Sequence, residues 1–184
     1  MGLARPPASP VFLTGMMGAG KSTLARLLAA RWRATAVDLD LRIERLFGAS
    51  IAALFAGGEP RFRRLEAAAL RSLLAEPGAR AIVVATGGGA ACEPSNRASM
   101  AAAGVVVYLE VSVDELLRRL LAERDGARRP LLHGDPAVQR SRFEALLGQR
   151  AADYACADVV VDGSGAPQDV LRRLLHAWGG PEDP

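Results

Sequence analysis

A glycine-rich stretch near the start of the chain constrains the fold more than any other feature. Gly15-x-x-x-x-Gly20-Lys21-Ser22 has the spacing of a Walker A phosphate-binding loop. An apolar run at 11–13 precedes it, and leucines spaced for one helix face follow it. Backbone N–H groups of such a loop and the first turn of the helix after it bind phosphate oxygens. The pattern therefore predicts a strand, a loop and a helix that together bind a nucleoside triphosphate.

Each polar residue of this loop has a predicted role. Lys21 is expected to reach the outer phosphates, and Ser22 is expected to ligate Mg²⁺. The residues predicted to contact ATP here are Gly15, Gly18, Ala19, Gly20, Lys21, Ser22 and Thr23. Lys21 is also the single lysine among 23 basic residues. A compact ammonium is hard to replace with a planar guanidinium, so we interpret this lysine as retained for chemistry.

Composition excludes several classes of protein. The chain has 184 residues, half of them apolar, which suits one globular domain spanning 1–184. The net charge is +3, but the basic residues form no long run, so no nucleic-acid partner is predicted. No apolar run spans a bilayer and residues 1–10 lack the apolar region of a secretory signal, so no membrane is predicted either. Two cysteines are too few for a disulfide framework, and we expect a cytoplasmic protein.

The rest of the chain alternates strand-like and helix-like segments. Further strands are predicted at 34–37, 81–85, 105–109 and 159–161. Helices are predicted over 41–76, with interruptions near Gly48 and Gly57-Gly58, and over 94–103, 114–123, 137–154 and 167–178. Residues 124–136 are predicted to form a mobile loop and 179–184 a frayed tail. This alternation predicts an α/β fold with a parallel sheet and helices on both faces.

Two aspartates follow the second predicted strand. Asp38 and Asp40 are two residues apart, so on a continuing strand both would face the crevice at the carboxyl end of the sheet. One can hold magnesium and the other can accept a proton from an attacking hydroxyl. The alternative is that one of them only caps the next helix. A common GTPase is excluded, because its Asn-Lys-x-Asp motif needs a second lysine.

Three further features point to a small anionic acceptor. Arg63 and Glu66 are helix neighbours, and a glutamate can hold an arginine fork in place for a carboxylate. A glycine triplet at 87–89 permits close approach of backbone to a ligand. Arg129 in the predicted loop and Arg150 on the following helix can neutralise charge. Taken singly, these features also fit a solvated ion pair, a plain turn and exposed arginines.

Together these residues resemble the shikimate kinase family over roughly residues 11–162. The matching segments are Gly15 to Ser22, Asp38-Leu-Asp40, Ile43-Glu44, Gly48-x-Ser50-Ile51, Phe55, Gly58-Glu59-x-x-Phe62-Arg63-x-x-Glu66, Gly87-Gly88-Gly89, Arg129-Pro-Leu-Leu132 and Arg150-x-x-x-Tyr154. The resemblance implies a P-loop NTPase of the nucleoside-monophosphate-kinase type, with five parallel strands in the order 2-3-1-4-5. It implies a substrate-binding segment at about 38–76 and a lid at about 122–137. It also implies a monomer that phosphorylates shikimate with ATP and Mg²⁺.

The resemblance also implies residue roles. Asp38 and Ser22 would hold Mg²⁺, and Asp40 would bind the acceptor hydroxyl as the base, so Asp40, Lys21, Arg129 and Asp38 form the catalytic set. Arg63 and Arg150 would bind the shikimate carboxylate, with Glu66 steadying Arg63 and Gly87, Gly88 and Gly89 lining the pocket. Arg129 would approach the phosphates, and Arg119 would stack on adenine. Residues 1–10 and the tail after Asp162 are assigned no function.

Three alternatives remain open from the sequence alone. The nearest is a related small-acid kinase, such as a gluconate kinase. A non-catalytic nucleotide-binding regulator on this fold would be expected to have lost a carboxylate or the lid arginine, whereas all are present. A nucleic-acid-binding protein would show steep salt dependence of DNA binding.

Overall fold

The computed structural model describes residues 8–77, 81–122 and 134–179, and in these ranges it forms one parallel sheet wrapped by helices. The five strands are β1 (Val11–Thr14), β2 (Thr35–Asp38), β3 (Ile82–Ala85), β4 (Val105–Glu110) and β5 (Val159–Asp162). Their order is β2-β3-β1-β4-β5, and all four pairings are parallel. The predicted strand order is confirmed.

Eight α-helices connect or flank these strands within the described ranges. They are α1 (Lys21–Trp32), α2 (Leu39–Phe47), α3 (Ile51–Ala56), α4 (Glu59–Leu74), α5 (Pro94–Ala103), α6 (Val113–Ala122), α7 (Pro136–Tyr154) and α8 (Pro167–Ala177). The connection β1–α1–β2 runs toward one sheet edge, and β3–α5–β4 runs toward the other. Since parallel crossovers are right-handed, α1 and α5 must cover opposite faces. Contacts agree, because α1 packs against α8 while α5 packs against α4.

The central strands are buried because helices cover both faces of the sheet. Val11, Phe12 and Leu13 of β1 are fully inaccessible to solvent, as is Val84 of β3. This explains why these strands are continuously apolar instead of alternating. The core continues into the helices through Leu28, Leu70 and Leu174.

Residues 41–76 break into three helices where glycines allow it. Gly48 ends α2 with a φ of 67°, a left-handed conformation that glycine adopts without strain. Ser50 then caps α3, its hydroxyl accepting a hydrogen bond from the N–H of Ala53. Pro60 lies in the first turn of α4, where a missing N–H costs nothing. The predicted interruptions near positions 48 and 57–58 are thus confirmed.

One sequence prediction about local structure is wrong. Strand β2 ends at Asp38, and Asp40 already lies in the first turn of α2. Strand alternation therefore does not bring the two carboxylates together. Helix α7 also begins at Pro136, one residue before its predicted start. Most of the loop predicted at 124–136 and of the tail at 179–184 lies outside the described residues. No helix in the described ranges is long and apolar enough to cross a membrane.

Candidate active site

The phosphate-binding loop joins β1 to α1 at the carboxyl edge of the sheet. Gly15, Gly18 and Gly20 all have positive φ, which lets the backbone curl before the helix begins at Lys21. The Nζ of Lys21 donates to the carbonyl oxygens of Gly15 and Met16, at 2.8 Å each. The loop therefore forms as the sequence predicts, and its lysine lies across it.

Asp38 connects this loop to helix α2. Its Oδ2 accepts a hydrogen bond from the Ser22 hydroxyl at 2.6 Å, and its Oδ1 accepts from the N–H groups of Asp40 and Leu41. Asp38 is thus both the helix cap and the partner of the loop serine. The sequence left open that one of the two aspartates caps the next helix, and in the structure Asp38 is that cap.

Asp40 lies beside the loop because the cap fixes the start of α2. Together with Asp38 and Thr86 it lines a cavity of about 760 Å³. Burial raises the pKa of the Asp40 carboxyl, and the neighbouring Asp38 raises it further, although Lys21 opposes both effects. A carboxylate with increased proton affinity beside a phosphate-binding loop is suited to accept a proton from a hydroxyl.

The same cavity extends to α6 and to a segment after β5 that was left without a role. Arg118 and Arg119 of α6 line it, and so does the loop after β5, through Gly163, Gly165, Ala166, Pro167 and Val170. The segment after Asp162, which was assigned no role from the sequence, therefore borders the cavity at the phosphate loop. Parallel strands present their carboxyl ends at one edge, so the segment after β5 could have been assigned to the site by that rule.

Arg119 ties two loops of this cavity together. Its Nη1 lies 3.4 Å and 3.3 Å from the carbonyl oxygens of Gly18 and Ala19. Its Nη2 donates to Gly163 and Gly165 at 2.8 Å and 3.1 Å. The contacts of Arg119 thus hold the phosphate loop against the loop after β5. Stacking of Arg119 on adenine stays a prediction.

The glycine triplet follows β3 and lies against the carboxylates of Asp40 and Glu66. A methyl group built on Gly87 would lie 2.7 Å from Asp40 Oδ1 and 3.0 Å from Glu66 Oε1. Only glycine therefore fits at this position without moving either carboxylate. Gly87, Asp40 and Glu66 come from three different segments, which the sheet edge brings together.

Arg63 and Glu66 form a partly buried ion pair beside the triplet. Arg63 Nη1 donates to Glu66 Oε2 at 2.9 Å, and the Nε and Nη2 atoms donate to Glu59. Glu66 is fully buried, and its Oε1 accepts no hydrogen bond from any described residue. Burial raises the Glu66 pKa against the opposing effect of Arg63, and Asp40 raises it further. Asn96, which the sequence analysis missed, also reaches Glu66 Oε2, at 3.4 Å.

Arg150 approaches the triplet from α7. Its Nη1 donates to the carbonyl oxygen of Gly88 at 3.1 Å. Arg63 lies close to Gly89, because a methyl group added to Gly89 would be 2.3 Å from Arg63 Nη2. Arg63 and Arg150 line a second cavity of about 890 Å³, which is separate from the one at the phosphate loop. Two guanidinium groups thus converge on the triplet, while their binding of a carboxylate stays a prediction.

Arg129 and the lid are the remaining predicted elements. Arg129 lies outside the described residues, as does most of the lid predicted at 122–137.

No group of three or more His, Cys, Asp or Glu residues in the described ranges could hold a metal by itself. The Ser22 hydroxyl and the Asp38 carboxylate are oxygen ligands that fit Mg²⁺, which ordinarily takes its other ligands from phosphate and water.

Comparison with known proteins agrees with this geometry. A family model described as shikimate kinase matches residues 17–178. A protein of Geobacter metallireducens named shikimate kinase is 43% identical over 166 residues, which cover 89% of this chain and 88% of the relative. The crystal structure of shikimate kinase from Bacteroides thetaiotaomicron superposes with a TM-score of 0.82 at 32% identity, over 91% of this chain and 97% of that one.

A second solved structure contains bound shikimate. It is shikimate kinase from Acinetobacter baumannii in complex with shikimate, and it superposes with a TM-score of 0.81 at 34% identity. The match covers 93% of each chain. The phosphate loop, the paired aspartates and the two arginines at the glycine triplet thus lie in a chain that belongs to the shikimate kinase family.

Proposed function

We propose that this protein transfers the γ-phosphoryl group of ATP to the 3-hydroxyl of shikimate, giving ADP and shikimate 3-phosphate. The observation that carries the proposal is the convergence of Arg63 and Arg150 on the glycine triplet, next to Asp40 and the phosphate loop. Two arginines suit a carboxylate, and a buried aspartate beside the phosphates suits a hydroxyl. Membership of the shikimate kinase family supports the same acceptor.

The nucleotide would occupy the cavity at the phosphate loop. Its phosphates would accept hydrogen bonds from the N–H groups between Gly15 and Thr23, and Lys21 would exchange the carbonyls of Gly15 and Met16 for phosphate oxygens. Ser22 and Asp38 would hold Mg²⁺, which when bound neutralises charge on the phosphate oxygens. Arg119 would border the base, and Arg129 would approach the phosphates from the lid.

The acceptor would bind where the triplet, α4 and α7 meet. Arg63 and Arg150 would bind its carboxylate, and the N–H groups of Gly88 and Gly89 would donate to its oxygen atoms. Glu66 would keep the fork of Arg63 in place through the 2.9 Å contact to Nη1. In the ligand-free protein Arg63 is held by Glu59 and Glu66, and Arg150 by Gly88. Binding of a carboxylate would therefore replace part of these contacts.

Asp40 would be the general base. It would accept the proton of the 3-hydroxyl as the new P–O bond forms and the bond to the β-phosphate oxygen breaks. Its pKa is raised by burial and by Asp38, so it would bind that proton more strongly than an exposed aspartate. The remaining catalysis would come from positioning and charge neutralisation, since phosphoryl transfer asks for little covalent chemistry from the protein.

The proposed setting is a single catalytic domain acting as a monomer in the cytoplasm. The segment at about 38–76 would bind the acceptor, and the segment at about 122–137 would form a lid. Cys92 and Cys156 are free, which is compatible with a reducing compartment.

A coupled ADP-release assay tests the proposal directly. The purified protein is given ATP and Mg²⁺ with shikimate, with gluconate, and without an acceptor. We expect release that depends on shikimate and stays at background with gluconate. Turnover of gluconate alone would mean that gluconate, not shikimate, is the acceptor. ATP binding without turnover of either acid would overturn the proposed reaction.

A further inference from the structure

The hydroxyl of Tyr154 contacts the glycine triplet from helix α7. Tyr154 is almost fully buried, and its hydroxyl donates to the carbonyl oxygen of Gly88. The same oxygen accepts from Arg150 Nη1 at 3.1 Å. Arg150 and Tyr154 are four residues apart on α7, so one helix face presents both donors to one carbonyl.

This carbonyl determines the direction of a neighbouring N–H group. The Gly88–Gly89 peptide is trans, so the carbonyl of Gly88 and the N–H of Gly89 point in opposite directions. With the carbonyl held by α7, the N–H is turned away from α7. None of the described residues accepts a hydrogen bond from the N–H of Gly88 or Gly89. The peptide is thus fixed by its oxygen while its N–H is left for a ligand.

Arg150 alone could not hold the peptide throughout the reaction cycle. It is one of the two arginines proposed for the acceptor's carboxylate, and in the ligand-free protein it donates to Gly88. If Arg150 turned toward the acceptor, a carbonyl with no other partner would lose its hydrogen bond, which opposes the movement. The Tyr154 hydroxyl makes no such exchange, because it lies in the protein interior.

We propose that Tyr154 is a positioning residue for the acceptor, a role that rests on the function proposed above. Its hydroxyl holds the Gly88 carbonyl, keeps the Gly89 N–H directed toward the acceptor, and lets Arg150 leave the carbonyl for the carboxylate. Burial raises the pKa of Tyr154 to about 12, so the hydroxyl remains a donor at any pH at which the enzyme is assayed.

A purely structural role makes a different prediction. The Tyr154 ring stacks on Tyr108 with centroids 4.9 Å apart and an interplanar angle of 13°, so it also contributes to the core. If that were its whole role, removal of the hydroxyl would change thermal stability and leave the KM for shikimate unchanged.

Tyr154→Phe separates the two roles, because it removes one oxygen and keeps the ring. We expect the KM and the Kd for shikimate to rise about 3- to 10-fold, the range for loss of one hydrogen bond, with the KM for ATP within about 2-fold of wild type. Tyr108→Phe is the matched control, since it removes the same atom from the other ring of the stack. No described residue hydrogen-bonds the Tyr108 hydroxyl, so its KM values should match wild type.

Wild-type turnover of shikimate is measured first, so failure of the proposed function is recognised before any variant is assayed. A Tyr154→Phe enzyme with unchanged shikimate KM overturns the positioning role, whatever its Tm. Should that variant not fold, ¹⁵N-glycine NMR of the wild-type protein decides. Addition of shikimate must shift the Gly89 amide resonance, and an unmoved resonance refutes the proposal.

Discussion

A single methyl group on Gly89 is predicted to disable the acceptor side of the site. The backbone of Gly89 has a φ of −106°, which alanine also adopts, so Gly89→Ala introduces no backbone strain. The new methyl would lie 2.3 Å from Arg63 Nη2 and 2.7 Å from its Cζ. Because ordinary contacts between heavy atoms are roughly 3.5 Å, the guanidinium must retreat by about 1 Å.

That retreat is opposed by four side chains around Arg63. Glu59 and Glu66 accept hydrogen bonds from its nitrogen atoms, and the rings of Phe55 and Phe62 lie 5.6 Å and 5.4 Å from its Cζ. A misplacement of about 1 Å at a substrate-positioning group costs roughly 100-fold in rate. We therefore expect kcat/KM for shikimate to fall about 100-fold, equivalent to about 2.7 kcal/mol of transition-state stabilisation.

The assay is ADP release with shikimate and ATP varied in turn. The KM for ATP should stay near wild type, because Gly89 is not among the residues that line the cavity at the phosphate loop. Gly148→Ala is the matched control: the same methyl on the exposed face of α7 meets nothing within 4 Å. It should leave kcat/KM unchanged and stabilise the fold by about 0.5–1 kcal/mol, since alanine replaces glycine in a helix.

A double-mutant cycle tests the route of the effect. If the methyl acts by displacing Arg63, Gly89→Ala should cost little further activity in an Arg63→Ala background. Equal losses in both backgrounds would refute this reasoning, and so would a Gly89→Ala enzyme with normal shikimate kinetics.

Three further predictions concern the phosphate-loop side. Asp40→Asn should lower kcat by roughly 10²–10⁴ while calorimetry still detects ATP binding, and near-normal turnover would contradict its role as the base. The Asp40 pKa is raised above its ordinary value of 3.8, so kcat/KM should fall with decreasing pH at a pH above 3.8. A pH-rate profile that falls only at or below pH 3.8 would exclude Asp40 as the group that controls the rate. Ser22→Ala removes the hydroxyl that contacts Asp38, so half-maximal rate should require more Mg²⁺ in a titration, and an unchanged requirement would exclude Ser22 as a ligand.

The sequence predicted the fold well because its local signals agree with one another. The phosphate loop, the continuous apolar strands and the glycines at 48 and 57–58 each specify a local structure independently of distant contacts. Right-handed crossovers then leave few arrangements of five parallel strands. Arg63 and Glu66 could be paired for the same reason, since helix spacing alone makes them neighbours.

The interpretation failed where the result depends on contacts between distant segments. Asp40 has the predicted place in the site for a different reason, because the Asp38 side chain starts a helix earlier than the strand pattern indicates. Arg119 was assigned to adenine alone, although its fork joins carbonyls more than 40 residues away in sequence. Tyr154 was quoted with Arg150 but received no role, because its spacing on a helix does not show that its hydroxyl reaches the carbonyl of Gly88, 66 residues away in sequence.

The two cavities of the site also bear on the kinetics of the protein. Gly88 borders the one at the phosphate loop, while Arg63 and Arg150 border the other. The nucleotide and the carboxylate of the acceptor would thus occupy different cavities. We therefore expect random-order kinetics, in which either ligand binds first and the initial-rate lines for the two substrates intersect.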